Sequence, residues 1–152
     1  MKGDPVPDPD HILRYVGGFH VEKDGTISGG AFIAKPKDGN CPSYNWLECL
    51  KGSLEERVQQ VRDAARIKYG GTAVLVRLNV GQVRQFIRDE AEGHEVTVIH
   101  DPLEPEETCP LPDPSHALMT NVPNENKPQG ELIGDLIRQC ILEVFPAKAA
   151  AT

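Results

Sequence analysis

Residues 72–91 read TAVLVRLNVGQVRQFIRDEA, and this stretch decides the fold class. Its first part, residues 72–78, is an almost unbroken run of aliphatic side chains, which is typical of a strand covered on both faces. From residue 80 onward the apolar side chains recur at helical spacing. The stretch therefore predicts an interior strand followed directly by a helix over residues 80–91. The side chains expected to face the core from this helix are Val83, Phe86 and Ile87.

Two more helices are predicted on either side of this unit. Upstream, Ser53-Leu54-Glu55-Glu56 has the spacing of a capping box and predicts a helix that runs to about residue 68. Downstream, Pro128 opens a last helix whose apolar stripe continues at four-residue spacing to Phe145. We expect about three helices, packed on one face of a sheet.

The remaining strands are short. Strands are predicted over residues 12–16 and 95–100, and residues 43–47 form either a strand or a helical turn. A hairpin is predicted at Asp24-Gly25, with residues 26–34 as the return strand and Gly29-Gly30 as a bulge or a close backbone approach. The fold class is therefore α+β, with a mixed, largely antiparallel sheet and about three helices packed on it.

The domain organisation follows from composition. Residues 1–10 hold three prolines and three aspartates and predict a flexible arm, and residues 147–152 predict a tail. Residues 11–146 form a single α+β domain. Within it, residues 101–128 form a long proline-rich loop without helical or strand periodicity, a length that is unusual unless the loop has a function.

The charge of the chain limits its partners. The 152 residues carry a net charge of −7. Residues 51–90 hold eight Lys/Arg against five Asp/Glu, a balance of +3, so the rest of the chain carries −10. An acidic protein repels nucleic acid at long range. We therefore expect a protein partner or a small molecule, with no nucleic acid and no membrane, and the oligomeric state stays open.

The cysteines and the lack of a long apolar run predict a cytoplasmic protein. The four cysteines show no CxxC spacing, and we expect them to be reduced. No apolar run approaches the roughly 20 residues that span a bilayer. The first residues are acidic and proline-rich, without the apolar segment of a secretion signal.

The tetrapeptide Asp113-Pro114-Ser115-His116 lies inside the proline-rich loop. Reactive side chains often occupy loops held by a rigid scaffold, and a histidine can act as acid, base or ligand near neutral pH. The alternative is a structural turn in which Asp113 and Ser115 bond the backbone around the proline. Adjacent residues rarely form a catalytic triad, because triads are assembled from distant segments.

A metal site is a further possibility for His116. The possible ligands are His20, His100, Asp101, Cys109 and His116. Zinc requires three or four nitrogen, sulfur or oxygen ligands in tetrahedral geometry. His100 and Cys109 are nine positions apart and Cys109 and His116 are seven, and neither is a recognised ligand spacing. We therefore expect no metal and no cofactor.

Four sequence blocks occur in a characteristic order. They are LRYVGGFHVEKDGTISGGAF (13–32), SYNWLE (43–48), AVLVRLNVGQV (73–83) and DPSHALM (113–119). In this order they resemble an uncharacterised family of small prokaryotic proteins with no known activity. Tyr44 departs from the smaller aliphatic residue expected after the serine of the second block. The resemblance implies only that certain positions are of interest: Arg14, Phe32, Ser43, Trp46, Ser115 and His116.

The candidate site residues fall into two groups. The candidate catalytic residues are His116, Arg14, Ser43 and Asp113. The candidate binding residues are Ser115, Trp46, Ser28 and His20. ADP-ribosyl-transfer folds place an Arg or His, a Ser or Thr and a late acidic residue around a nicotinamide cofactor, and Arg14 and Ser28 would suit the first two roles by analogy.

Three functions remain open at this point. The first is a small cytoplasmic binding or accessory module, which predicts an exposed apolar or mixed patch. The second is an enzyme, a hydrolase or a nucleotide or ADP-ribosyl transferase, which predicts that His116, Arg14 and Ser43 share one cleft. The third is a toxin–antitoxin or phage-defence component. The sequence does not decide whether the protein is an enzyme.

Overall fold

The computed structural model describes residues 2–35, 41–65, 71–107, 109–124 and 128–148. Its strands are β1 (His11–Val16), β2 (Ser43–Trp46), β3 (Val74–Asn79), β4 (Thr97–His100), β5 (His116–Thr120) and β6 (Glu143–Pro146). Its helices are α1 (Leu54–Asp63), α2 (Val80–Glu90) and α3 (Pro128–Gln139). The strands form one sheet in the order β4-β5-β2-β1-β3-β6.

The sheet confirms the predicted α+β class. Each strand of the sheet is antiparallel to its neighbours. The prediction was a mixed, largely antiparallel sheet, and the observed sheet is antiparallel throughout. The strand and helix predicted from residues 72–91 are β3, which lies between two other strands, and α2, which follows it at once. Among the described residues, none of the helices is both long and apolar enough to cross a bilayer.

The helices cover both faces of the sheet, so the prediction that they share one face is wrong. Ile12 and Leu13 of β1 are neighbours that point to opposite faces, and both are fully buried. Ile12 belongs to a core built with the apolar sides of α2 and α3, whereas Leu13 packs with Val58 and Val61 of α1. A sheet with two apolar faces needs a layer on each side.

Local sequence signals explain how α1 and α2 begin. The Ser53 side chain accepts a hydrogen bond from the backbone of Glu56, whose carboxylate bonds back to Ser53, so the predicted capping box is present. The side chain of Asn79 caps α2 by accepting from the backbone of Gln82 at 2.8 Å. Helix α1 ends at Asp63, before the predicted end near residue 68, and residues 66–70 lie outside the described residues.

The Gly29-Gly30 pair allows a close approach to α3. A Cβ at Gly29 would lie 3.0 Å from the backbone nitrogen of Asp135, and one at Gly134 would lie 2.5 Å from the Gly29 carbonyl oxygen. A side chain at either position would separate α3 from the turn it packs on. The turn is a 3-10 helix, Gly29–Phe32, so the strand predicted over residues 26–34 is not formed. The Asp24-Gly25 turn is present, with Gly25 at φ 89°.

Two further predictions are corrected by strand pairing. Strand β5 lies inside the segment predicted as a structureless loop and pairs with both β2 and β4. Strand β6 takes Val144 and Phe145, which the apolar stripe assigned to the last helix. Strand β6 pairs along the free side of β3, and β5 lies between β2 and β4. In both cases tertiary pairing overrides the local preference of the segment.

The N-terminal segment packs against the sheet, which corrects the prediction of a flexible arm for the described residues of 1–10. The Val6 backbone nitrogen donates to Val98 at 2.8 Å, and the Gly3 nitrogen donates to His100 at 2.7 Å. Val6 is buried in the core. This segment therefore covers the outer edge of β4, which would otherwise present free N–H and C=O groups.

Candidate functional site

Polar side chains gather at one end of the sheet, where β2 and β4 end and β5 begins. The loop that returns to β5 is tied down there, because Leu103 and Asp113 exchange two backbone hydrogen bonds of 2.9 Å. The backbone nitrogen of Asp101 also donates to His116 at 2.8 Å. Residues 113–116 are therefore held against the ends of three strands, in the part of the proline-rich loop that the structure describes.

A buried polar cluster forms at this end from Asn45, Asp113 and Ser115. The Asn45 side-chain amide donates to Asp113 Oδ1 and to Ser115 Oγ, both at 2.9 Å. Ser115 Oγ donates to the same Asp113 oxygen at 3.4 Å. Asp113 is 5% exposed and Ser115 is 1% exposed. Within the described chain no donor reaches the second carboxylate oxygen, Asp113 Oδ2.

Two residues of the polar cluster, Asp113 and Ser115, line a surface depression of about 190 Å³ between α1 and residues 111–115. Besides Asp113 and Ser115, its polar lining comes from Gln60 and Asp63 of α1. The other lining residues are apolar. We call this feature the acidic depression, because its charged lining consists of the two carboxylates. It can accept hydrogen bonds from a ligand, and it favours a cation.

His116 forms a dyad with Asp101. Its Nδ1 lies 2.9 Å from the Asp101 backbone oxygen and 3.2 Å from the Asp101 carboxylate. Both partners can only accept, so Nδ1 is the donor in this contact. The Asp101 carboxylate also lies 3.7 Å from Lys2 Nζ. This arrangement orients a histidine as a general base.

Cys49 and His100 also meet at this end of the sheet, but they do not form an activated thiolate. Cys49 Sγ lies 3.9 Å from His100 Nε2, which itself lies 2.6 Å from the carbonyl oxygen of Pro114. Burial, reinforced by the charge of Asp113, raises the pKa of the Cys49 thiol. His100 Nδ1 is buried without a hydrogen-bond partner. A catalytic cysteine requires the opposite environment, one that lowers its pKa.

Of the candidate catalytic residues, Arg14 is not brought to His116. Ser43 pairs with Leu118, two residues along β5, and so shares the sheet face of His116. Arg14 is two residues from Ile12 along β1, so the two side chains share one face of the sheet. Asn45 pairs with Leu13 and with His116, so these three residues share the opposite face. The Arg14 guanidinium donates to the carbonyl oxygens of Ala31 and Ser43 and lies over the Tyr44 ring at 5.5 Å. Arg14 thus braces the 29–32 turn against β2. Ser43 contributes its backbone to this contact.

Among the candidate binding residues, Ser115 joins the polar cluster, whereas Trp46 pairs with Ile12 and lies on the opposite face of the sheet. Ser28 Oγ accepts from the Gly30 backbone and caps the 29–32 turn. His20 lies beside Gly30, and burial, with Lys35 and Arg14 nearby, lowers the pKa of its ring. Trp46 does reach the polar end, with its ring edge-on to His100 at 5.1 Å.

The proposed metal ligands do not converge. Cys109 Sγ faces the backbone oxygens of Ala65 and Leu111. His20 lies beside the 29–32 turn. Across residues 2–35, 41–65, 71–107, 109–124 and 128–148, no group of three or more His, Cys, Asp or Glu side chains could hold a metal ion.

A second depression, of about 470 Å³, lies near the start of α3. It is larger than the acidic depression, and its polar lining comes from His94, Asn121, Asn124 and Gln129. His94 is occupied on both ring nitrogens, since Nε2 lies 2.8 Å from the Asn121 oxygen and Nδ1 lies 3.3 Å from Gln129. Its lining contains no buried charge, so the acidic depression is the stronger candidate site.

Asn45 is the functional residue that sequence reasoning missed, because an asparagine in a short strand carries no signal of its own. Strand alternation between Tyr44 and Trp46 was the only indication that it faces the other side. Comparisons of the chain with models of protein families, with curated proteins and with solved structures found no match. The resemblance drawn from the four sequence blocks therefore stays a prediction.

Proposed function

We propose that the protein is a binding module and that it recognises its partner at the acidic depression. One observation carries this proposal: the Asp113 carboxylate is buried, its Oδ1 is held by Asn45 and Ser115, and its Oδ2 accepts from no described residue. Asp113 Oδ2 is not one of the fully buried side-chain atoms that lack a partner, so it reaches the surface, where a ligand can contact it. A ligand that donates to the second oxygen would supply the missing interaction.

The nucleophiles at this end of the sheet support binding over covalent catalysis. Ser115 Oγ is buried and bonded to Asn45 and Asp113, with no histidine as its base among the described residues. The raised pKa of Cys49 keeps that residue a thiol. We also propose a cytoplasmic location, which the free thiols support.

Filling the acidic depression tests its role without changing its charge. Gln60 is exposed and lines the depression, so Gln60→Trp would block it, while Gln85→Trp on the opposite layer serves as the matched control. We expect wild type and Gln85→Trp to capture a partner that Gln60→Trp does not capture. The purified partner should likewise bind wild type and Gln85→Trp but not Gln60→Trp. Equal capture of every partner by all three proteins would contradict the proposed site.

A second function, a hydrolase, is favoured by the His116–Asp101 dyad. With Nδ1 engaged by Asp101, Nε2 is the ring nitrogen left for a substrate or water, and the side chain is 13% exposed. Such a group can take a proton from an attacking water, provided that a substrate lies within hydrogen-bond reach. In this function Asp101 orients His116, and Arg14 and Ser43 have no assigned role.

The hydrolase function has its own test. The substrate would be p-nitrophenyl acetate, and His116→Gln would be compared with His11→Gln, which alters the other histidine–carboxylate pair, where His11 Nδ1 lies 2.7 Å from Glu48. A dyad that acts as a base predicts that turnover is lost in His116→Gln and kept in His11→Gln. Equal rates in both variants would exclude this role.

A further inference from the structure

We propose that the acidic depression binds a lysine side chain of a partner protein and discriminates against arginine. This inference rests on the proposed binding function and names the group that would be recognised. Three features support it: acceptor oxygens in the depression that no described residue bonds, apolar walls, and an Asp113 carboxylate with one oxygen already bonded to Asn45 and Ser115.

The polar lining offers acceptors that match an ammonium group. Asp113 Oδ2 accepts from no described residue. The Gln60 amide nitrogen donates to the carbonyl oxygens of Lys51 and Glu56, which leaves its oxygen as the open end of the amide. Asp63 uses Oδ1 to accept from Gln59, and its second oxygen accepts from no residue that the structure describes. An ammonium carries three donors and no acceptor.

The walls of the depression suit an aliphatic stem. Five apolar residues complete the lining: Leu50, Ala64, Leu111, Pro112 and Pro114. A lysine side chain has four methylene groups that pack on apolar surface while the charged head reaches polar groups. Leu111 is 48% exposed at this site. It therefore offers apolar surface to the main chain of a partner, which favours a side chain on a protein over a free amine.

The preference for lysine follows from Asp113. A guanidinium binds a carboxylate best through two parallel hydrogen bonds, one to each oxygen. Asp113 Oδ1 already accepts from Asn45 at 2.9 Å and from Ser115 at 3.4 Å, so only Oδ2 remains for a ligand. A single oxygen suits the compact charge of an ammonium. The net charge of −7 further attracts a basic partner at long range.

The experiment titrates labelled protein with four probes and follows backbone amide shifts by NMR. The probes are the capped tripeptides Ac-Gly-Lys-Gly-NH2, its arginine and norleucine counterparts, and free cadaverine. We expect the lysine peptide to bind at least tenfold more tightly than the norleucine peptide, which is about 1.4 kcal/mol. We also expect it to bind more tightly than the arginine peptide and cadaverine, with shifts at Gln60, Asp63 and Ser115.

Two isosteric variants test the charge. Asp113→Asn keeps an oxygen that can accept from Asn45 and Ser115 but turns an NH2 group toward the ligand, so we expect at least a tenfold loss of lysine-peptide binding. Asp89→Asn makes the same charge change on exposed α2 and should bind as wild type. Asp63→Asn, at an exposed position, gives a second variant with a smaller loss and no expected effect on folding.

The outcomes distinguish the lysine inference from the binding function on which it rests. Equal binding of the lysine and norleucine peptides, or equal binding by Asp113→Asn, would overturn the lysine inference. Tighter binding of the arginine peptide would overturn the stated preference, and tighter binding of cadaverine would replace the partner protein with a free amine. If no probe binds while Gln60→Trp still abolishes partner capture, the inference fails and the binding function stands. If that capture is also unaffected, both fail.

Discussion

Replacing Asn45 with alanine should destabilise the protein through the buried charge that Asn45 serves. The substitution removes two hydrogen bonds of 2.9 Å, one to the carboxylate of Asp113 and one to the hydroxyl of Ser115. It leaves the carboxylate with the longer Ser115 contact of 3.4 Å alone. The perturbation is therefore larger than the loss of two neutral hydrogen bonds.

The magnitude follows from the two acceptors. A hydrogen bond to a charged group contributes about 2 kcal/mol and a neutral one about 1 kcal/mol, so Asn45→Ala should cost about 3 kcal/mol. In a background of Asp113→Ala the charge is absent and the same change should cost about 1 kcal/mol. The coupling energy between Asn45 and Asp113 is then about 2 kcal/mol.

Equilibrium unfolding in urea measures the free energy of unfolding of wild type, Asn45→Ala, Asp113→Ala and the double variant. An unchanged dependence of that free energy on urea concentration would confirm that the unfolded states are comparable. Gln85→Ala is the matched control, since Gln85 makes an amide–carboxylate bond to Asp89 at an exposed position and should cost less than about 0.5 kcal/mol. A loss below about 1 kcal/mol for Asn45→Ala, or no coupling to Asp113, would refute the reasoning.

Three other substitutions or groups give separate predictions. Burial raises the pKa of Tyr44 to about 12, and its hydroxyl has no hydrogen-bond partner in the described part of the chain. The free energy of unfolding should therefore fall between pH 10 and 12 by about 1.4 kcal/mol per pH unit more than in Tyr44→Phe, as measured by urea unfolding. Gly134→Ala should cost about 1–3 kcal/mol in thermal unfolding, since its Cβ would lie 2.5 Å from the Gly29 oxygen. Iodoacetamide should label Cys49 more slowly in native than in unfolded protein, and faster in Asp113→Asn, as followed by peptide mass spectrometry.

These predictions have internal checks. The sign for Tyr44 follows because the unfolded tyrosine ionises near pH 10 while the buried one keeps its proton, so the unfolded state gains stability first. Identical pH profiles for wild type and Tyr44→Phe would contradict this. Gly71→Ala is the control for Gly134→Ala, because a Cβ there meets nothing within 4 Å and should leave stability unchanged. Equal labelling of native and unfolded Cys49 would show an accessible, ordinary thiol.

Helices and strands were predicted correctly where the local sequence signal agrees with the tertiary packing. The capping box at Ser53 and the unit of β3 and α2 are set by neighbours in sequence, and both are present. The apolar stripe after Pro128 predicted a helix through Phe145, but α3 ends at Gln139 because the following residues pair with β3. An apolar residue at the end of a helix and one in a short edge strand carry the same signal.

The candidate site shows the same division. The tetrapeptide 113–116 was noticed because prolines and polar residues without periodicity stand out in a chain of this size. Its partners were not predictable from spacing. Asn45 reaches Asp113 across 68 positions, and Asp101 reaches His116 across 15, only because β2, β5 and β4 are neighbours in the sheet.

The amino-acid sequence by itself determined the α+β class and the first residues of the helices, because both depend on composition or on contacts within a few residues. Tertiary structure alone decided that helices cover both faces, that Arg14 and His116 lie on opposite ones, and that Asp113 is buried beside a depression. The physical reason is strand register: one position of shift moves every side chain of a strand to the other face, and register depends on distant pairing.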